Sequence, residues 1–93
     1  MIIKHKQEGK GGYFYYEEDG KKLAEMVYVM AGPEKMIIEH TEVDESLEGK
    51  GIGKHLLEEL VKYVRENNIK VIPLCVFAKA VFQRTKEWQD VLA

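Results

Sequence analysis

Glu48-Gly49-Lys50-Gly51-Ile52-Gly53-Lys54 is the stretch of sequence that decides the fold. It leads into a stripe of apolar residues at helical spacing, which consists of Ile52, Leu56, Leu57, Leu60, Val61 and Val64. Three glycines at a helix start need a specific reason, because each costs about 1 kcal/mol relative to alanine inside a helix. A loop without side chains lets an anion reach the unpaired N–H groups of a helix N-terminus, where the helix dipole also favours negative charge.

The glycine pattern fits neither of two common nucleotide-binding motifs. A P-loop requires G-x-x-x-x-G-K-[S/T], but Glu48 stands at the first glycine and His55 at the hydroxyl position. A dinucleotide fingerprint requires G-x-G-x-x-G, whereas this chain has G-x-G-x-G after a series of strands. A flexible, glycine-rich helix start without a ligand is the alternative interpretation. The glycines alone do not decide between that alternative and an anion site.

Upstream of the glycine loop the sequence predicts only strands. The apolar patterns and the turn residues between them place these strands at Ile2–Gln7, Tyr13–Glu17, Lys21–Ala31 and Met36–Val43. Their order along the chain predicts an antiparallel meander. The segment Lys21–Ala31 is apolar on both faces, which predicts a central strand covered on both sides.

Downstream of the loop the sequence predicts a helix, a strand and a second helix. The first helix ends at Asn67-Asn68, a buried strand follows at Ile69–Val76, and a last helix runs from Phe77 or Ala78 to about Trp88. A right-handed crossover would make the strands before and after the first helix parallel. The glycine loop would then lie at their carboxyl ends, where open α/β sheets bind ligands. We expect one α/β domain over residues 1–93, with a mixed α+β sheet.

Composition excludes several classes of protein. The formal net charge of -2 argues against a general nucleic-acid binder, which would carry a basic patch. The single cysteine cannot form an internal disulfide, and no apolar run approaches the roughly 18 residues that a membrane span needs. The first residues alternate like a strand and do not form the apolar core of a signal peptide. We therefore expect a cytoplasmic protein that binds neither nucleic acid nor membrane.

The segment Glu48–Gly53 resembles the Q/R-x-x-G-x-G/A pyrophosphate loop of the GNAT superfamily of acetyl-CoA-dependent N-acetyltransferases. The flanking segments Ile38–Val43, Leu74–Ala78 and Trp88–Val91 resemble a small subfamily of stand-alone, acetyl-CoA-binding, acetyltransferase-like proteins. The resemblance covers roughly Met26 to Val91. The chain departs from the superfamily pattern at Glu48, where Gln or Arg is usual.

The resemblance implies a minimal GNAT-type fold, in which the fourth and fifth strands splay apart and the pantetheine arm lies in the gap. It also implies that acetyl-CoA, or coenzyme A, is the cosubstrate and that no metal takes part. The cofactor-binding residues would be Glu42, Val43, Gly49, Lys50, Gly51, Ile52, Gly53 and Lys54. Glu48 would repel a pyrophosphate unless its side chain points away, so the backbone donors of the loop must dominate. Met1–Ala31 has room only for strands, which implies an open acceptor side.

Two residues are candidates for catalysis. Cys75, at the end of the predicted fifth strand, could accept the acetyl group or protonate the departing sulfur; the alternative is a small buried hydrophobic residue. His40 is expected on the same face as Met36 and Ile38, and could act as a general base or be a hydrogen-bonded core residue. Glu42, on that same expected face, could orient His40. Three scattered histidines and one cysteine do not form a metal site.

These observations favour an acetyl-CoA-binding N-acetyltransferase that moves acetyl from acetyl-CoA to a primary amine. The acceptor would be a small amine or a protein lysine. The alternative is a non-catalytic or self-acetylating acetyl-CoA-binding module, because no base is evident from the sequence. A ligand-free interaction domain is a third possibility. We expect a monomer or a weak homodimer.

Overall fold

The computed structural model describes residues 1–93 and contains a five-stranded sheet, two α-helices and two short 3-10 helices. The strands are β1 (Lys4–Glu8), β2 (Gly11–Glu18), β3 (Lys21–Met30), β4 (Lys35–Val43) and β5 (Lys70–Pro73). The helices are α1 (Ile52–Glu66) and α2 (Val76–Arg84), with 3-10 turns at Glu45–Leu47 and Lys86–Val91. No helix has both the length and the apolar character needed to cross a membrane.

The sheet has the order β1-β2-β3-β4-β5. The first three pairings are antiparallel, and β4 pairs with β5 in parallel through the crossover that contains α1. The predicted mixed sheet, with an antiparallel N-terminal part and a parallel pair flanking the glycine loop, is therefore confirmed. The loop lies at the carboxyl end of β4.

Only one face of the sheet is covered. Along β3 the inward residues Ala24, Met26 and Tyr28 are buried, whereas the alternate residues Glu25 and Val27 are only partly buried. Both helices contribute to the same buried cluster as these inward residues, so no element remains to cover the opposite face. The prediction that this strand is covered on both sides was wrong. We call the uncovered side the outer face, and it includes Tyr13, Tyr15, Glu25, Val27 and Val29.

A β-bulge in β4 changes which residues face the core. Tyr28 pairs with Ile38 but Val27 pairs with His40, so Glu39 is an extra residue without a partner. Because side chains alternate along a strand, one extra residue moves every later side chain to the other face. Beyond the bulge, Thr41 rather than His40 is on the core side. The prediction that His40 and Glu42 share a face with Met36 and Ile38 was therefore wrong.

The fifth strand is shorter than predicted, and its end opens the sheet. β5 stops at Pro73, and the N–H groups of Leu74 and Cys75 both donate to the carbonyl of Ile38, at 3.0 and 3.1 Å. After this point the chain leaves β4 and turns into α2. The side chains of Leu74 and Val76 are 66% and 84% exposed. These apolar residues, which were predicted to belong to the strand, instead lie at the gap between β4 and α2.

The last helix is also shorter than predicted. α2 ends at Arg84, and Thr85 takes a non-helical conformation with φ of -120° and ψ of 86°. A separate 3-10 turn then carries Trp88 into the core. The chain finishes against the free edge of β5, where the N–H of Ala93 donates to the carbonyl of Val71 at 2.9 Å. The prediction of one helix reaching Trp88 was wrong.

Candidate cofactor and acyl-transfer site

A cavity of ≈ 330 Å³ lies where the end of β4, the glycine loop and the two helices meet. We call it the loop cavity. One wall is the loop with the first turn of α1, and the opposite wall is a face of α2. The lining residues are Val43, Leu47, Glu48, Gly49, Gly51, Ile52, Gly53, Lys54, Phe77, Val81 and Arg84.

The loop wall carries unpaired backbone donors. The first hydrogen bond of α1 runs from the N–H of His55 to the carbonyl of Gly51, at 3.2 Å. The N–H groups of Gly49, Gly51, Ile52, Gly53 and Lys54 donate to no backbone carbonyl. Unpaired N–H groups at a helix N-terminus form a natural anion site. The residues of the loop therefore fit a phosphate group.

Lys50 was also predicted to bind the cofactor, but it is not among the loop residues with unpaired N–H groups. Its N–H donates to the carbonyl of Leu47 at 3.2 Å, so that donor is already used. Its side chain is exposed and does not line the loop cavity. A role for Lys50 in cofactor binding stays a prediction.

Each of the three loop glycines is required for its own structural reason. Gly49 and Gly51 have φ of 79° and 73°, the left-handed region that other residues rarely adopt. Gly53 lies within α1, where a Cβ would come within 2.5 Å of the Phe77 ring. Two glycines therefore shape the turn, and the third allows α1 and α2 to approach closely.

Arg84 also lines the loop cavity, although the sequence did not predict it as a site residue. Arg84 and Lys54 are the cationic side chains of the lining, and Glu48 is its acidic one. Lys54 also places its Nζ 6.0 Å from the centre of the Trp88 ring. Arg84 lies seven residues after Phe77, on the same helix face. Only that spacing, together with the correct end of α2, could have indicated its position from the sequence.

Cys75 lies in the gap between β4 and α2. It is the residue before the first turn of α2 and is 8% exposed. Its Sγ is 3.3 Å from the hydroxyl Oγ1 of Thr41, the core-side residue that follows the β4 bulge. The structure therefore brings Cys75 next to Thr41, while His40 lies on the outer face of the sheet.

His40 forms a charged cluster on the outer face. Its Nε2 is 4.0 Å from Oε2 of Glu25 and 3.8 Å from Oε1 of Glu42. The three side chains could in principle hold a metal ion, since their ligand atoms all lie within 4.8 Å of one another. Glu25, however, also pairs with the ammonium group of Lys22 at 2.6 Å. We interpret the cluster as polar side-chain contacts on a half-exposed sheet face.

A second, acidic cavity of ≈ 280 Å³ adjoins the loop cavity. Val43 lines both cavities, and the carboxylates of the second one come from Glu25, Glu42 and Asp44. Hydrogen bonds from the hydroxyl and N–H of Ser46 lower the pKa of Asp44, which keeps that carboxylate ionised. The end of β4 thus separates a pocket with unpaired N–H donors from a pocket with negative charge.

Comparison with known families agrees with this geometry. The sequence profile of the GCN5-related N-acetyl-transferases matches residues 12–91. The chain belongs to this family. The predicted GNAT resemblance is therefore confirmed for the family. No curated protein matched this GCN5-related chain.

Solved structures of several acetyltransferases share the fold. A GCN5-like candidate N-acetyltransferase from Staphylococcus aureus is 36% identical with a TM-score of 0.73, and the match covers 97% of this chain and 87% of that one. A ribosomal-protein-alanine N-acetyltransferase from Brucella melitensis is 16% identical with a TM-score of 0.69, covering 83% and 62%. An IAA acetyltransferase from Bacillus cereus is 25% identical with a TM-score of 0.63, covering 81% and 53%. The minimal GNAT-type fold is therefore confirmed, and this chain is much shorter than the latter two proteins.

Proposed function

We propose that this chain binds acetyl-CoA in the loop cavity and transfers the acetyl group to a primary amine, either a small amine or a protein lysine. The observation that supports this most directly is the set of unpaired N–H groups of Gly49 and of residues 51–54, which lines a cavity in a member of an acetyltransferase family. We further propose that residues 1–93 act as one cytoplasmic domain, as a monomer or a weak homodimer.

In this proposal the cofactor follows the core-side edge of β4. The loop amides hold the pyrophosphate, and the backbone near Glu42 and Val43 offers groups to the pantetheine arm. The arm then runs past Thr41 toward the gap where β4 and β5 separate, next to Cys75. A thioester in this gap would be reachable from the outer face, because no element covers that side of the sheet.

In this proposal His40, on the outer face, acts as the general base. The acceptor nitrogen attacks the thioester carbon, its proton passes to His40, and the CoA sulfur leaves and takes up a proton. Glu25 and Glu42, within 4.0 Å of Nε2, would orient the imidazole. The half-exposed position, with 51% of the side chain accessible, leaves room for an amine or an intervening water.

A self-acetylating module is the second candidate, and the position of Cys75 favours it. Its Sγ lies in the gap at the start of α2, 3.3 Å from the Thr41 hydroxyl. The Cys75 sulfur would attack the thioester carbon, its proton would pass to the CoA sulfur, and CoA would leave. The acetyl group would then remain on Cys75.

Calorimetric titration with acetyl-CoA tests the cofactor site. We expect the wild type to bind and Gly51→Val to lose at least about tenfold in affinity, because valine cannot adopt φ of 73° without strain. Gly20→Val is the matched control, since Gly20 has φ of 77° and open space around it, but lies in the β2–β3 turn. Full affinity in the Gly51 variant, or equal loss in both variants, would place the cofactor elsewhere.

A CoA-release assay with a panel of amines, read together with intact mass, separates the two candidate functions. If His40 is the base, His40→Gln should lower turnover by about 100-fold or more, whereas Cys75→Ala should leave turnover within a few-fold. If the chain only acetylates itself, the wild type should gain one acetyl group without amine turnover, and Cys75→Ala should remain unmodified. Amine turnover that survives in His40→Gln would contradict our assignment of the base.

A further inference from the structure

The α2 wall of the loop cavity extends well beyond the loop itself. Phe77, Val81 and Arg84 are spaced i, i+4 and i+7 on α2 and all line the cavity. The Phe77 ring lies against Gly53, one of the loop residues whose N–H group is unpaired. Arg84 follows seven residues later, which is about 10 Å along the helix axis. A ligand that occupies the cavity therefore meets the loop amides and the Arg84 guanidinium at separate places.

The Arg84 guanidinium has no partner within the protein. Its side chain is exposed and makes no hydrogen bond or ion pair with another side chain. Arg65 provides the contrast, because its guanidinium is held by Asp90 at 2.6 Å and by the carbonyl of Glu87. Arg84 is thus a cation that lines a cavity and is free to bind a ligand.

We propose that Arg84 binds the 3′-phosphate of coenzyme A and makes the site select CoA over 3′-dephospho-CoA. This inference rests on the proposed acetyl-CoA site. The cofactor carries two separate anionic groups, a pyrophosphate and a phosphate on the ribose. The loop amides serve the first, so the second needs its own donor. A guanidinium fork matches phosphate oxygens in a bidentate manner, and Arg84 lies on the opposite wall from the loop.

The electrostatics of the lining support this assignment. Glu48, the acidic residue of the lining, belongs to the loop, so the α2 wall contributes a cation and no carboxylate. Lys54 projects from the first turn of α1, and its Nζ lies 6.0 Å from the centre of the Trp88 ring. Arg84 is the cation that comes from α2, at the end of the cavity away from the contact between Phe77 and Gly53.

Parallel calorimetric titrations with CoA and with 3′-dephospho-CoA test the assignment. The wild type should bind CoA on the order of tenfold more tightly, as expected for charge-assisted hydrogen bonds. Arg84→Gln should bind the two ligands equally, with unchanged affinity for 3′-dephospho-CoA, and Arg84→Lys should retain part of the preference. Lys79→Gln is the matched control, because Lys79 is also on α2 but lines a different cavity.

The outcomes distinguish this inference from the function on which it rests. Equal affinity of the wild type for both ligands would overturn the role of Arg84 and leave the acetyl-CoA site intact. A preference that survives in Arg84→Gln, or that Lys79→Gln also loses, would overturn it as well. If neither ligand binds the wild type, the proposed function itself fails.

Discussion

At the scale of single residues, Gly53 is the loop glycine whose role depends on a neighbour. Its backbone is helical, so alanine would be favoured there by up to about 1 kcal/mol if space allowed. A Cβ would instead lie 2.5 Å from Cζ of Phe77. We expect Gly53→Ala to lower the free energy of unfolding by about 1 to 2 kcal/mol in the wild type. In a Phe77→Ala background we expect it to raise that free energy.

Urea unfolding of the two single variants and the double variant measures this coupling. The expected interaction energy is about 1 to 3 kcal/mol, as found for residues in direct contact. Additive effects would show that the Phe77 ring does not constrain Gly53. The sequence predicted that these glycines admit an anion, but it could not separate the backbone requirement at Gly49 and Gly51 from the packing requirement at Gly53. That distinction depends on Phe77, which is distant in sequence.

At the scale of elements, the sequence predicted regular helices and strands well, but it did not predict the irregularities within them. The amphipathic stripe correctly predicted α1, which spans Ile52–Glu66 with its apolar residues buried. In β4 the even positions Met36 and Ile38 face the core, and extending that alternation placed His40 there too. The sequence contains a trace of the bulge, because after Ile38 the β-branched residues are Thr41 and Val43, both at odd positions. A one-residue β-bulge has no strong sequence signal, because whether the strand accommodates it depends on the pairing with the partner strand.

The gap after β5 was mispredicted for a related reason. Leu74, Cys75 and Val76 read as a continuation of a buried strand, because apolar β-formers ordinarily belong to the core. In the structure Leu74 and Val76 are exposed beside the gap. Exposed apolar residues at the end of a parallel pair fit a surface that a cofactor arm would cover, as in our proposed function. At the candidate site, therefore, the apolar sequence pattern predicts burial, whereas the structure leaves these side chains exposed.

At the scale of the whole molecule, an aromatic cluster around His5 joins four elements. The imidazole of His5 on β1 stacks on the Phe14 ring of β2, with ring centres 4.0 Å apart. It meets the Tyr63 ring of α1 edge-on at 4.6 Å, and its Nε2 is 2.6 Å from the Tyr28 hydroxyl of β3. Burial raises the pKa of Tyr28 to about 12, so that hydroxyl stays neutral. The cluster ties the edge strand β1 to the core and to α1.

The stability of the fold should therefore depend on the protonation of His5. Burial lowers the pKa of His5 in the folded state, while the unfolded chain keeps the ordinary value of about 6.5. The unfolded state then binds more protons in this range, so the contribution of His5 is full above pH 6.5 and is lost as the pH falls below it. Urea midpoints at about pH 7.5 and about pH 5.5 lie on either side of the ordinary histidine pKa and above the range in which carboxylates ordinarily titrate. We expect a lower midpoint at the acidic value and a smaller difference in His5→Gln. His55→Gln, at an exposed position on α1, should retain the wild-type difference; an unchanged difference in His5→Gln would show that another group controls the pH response.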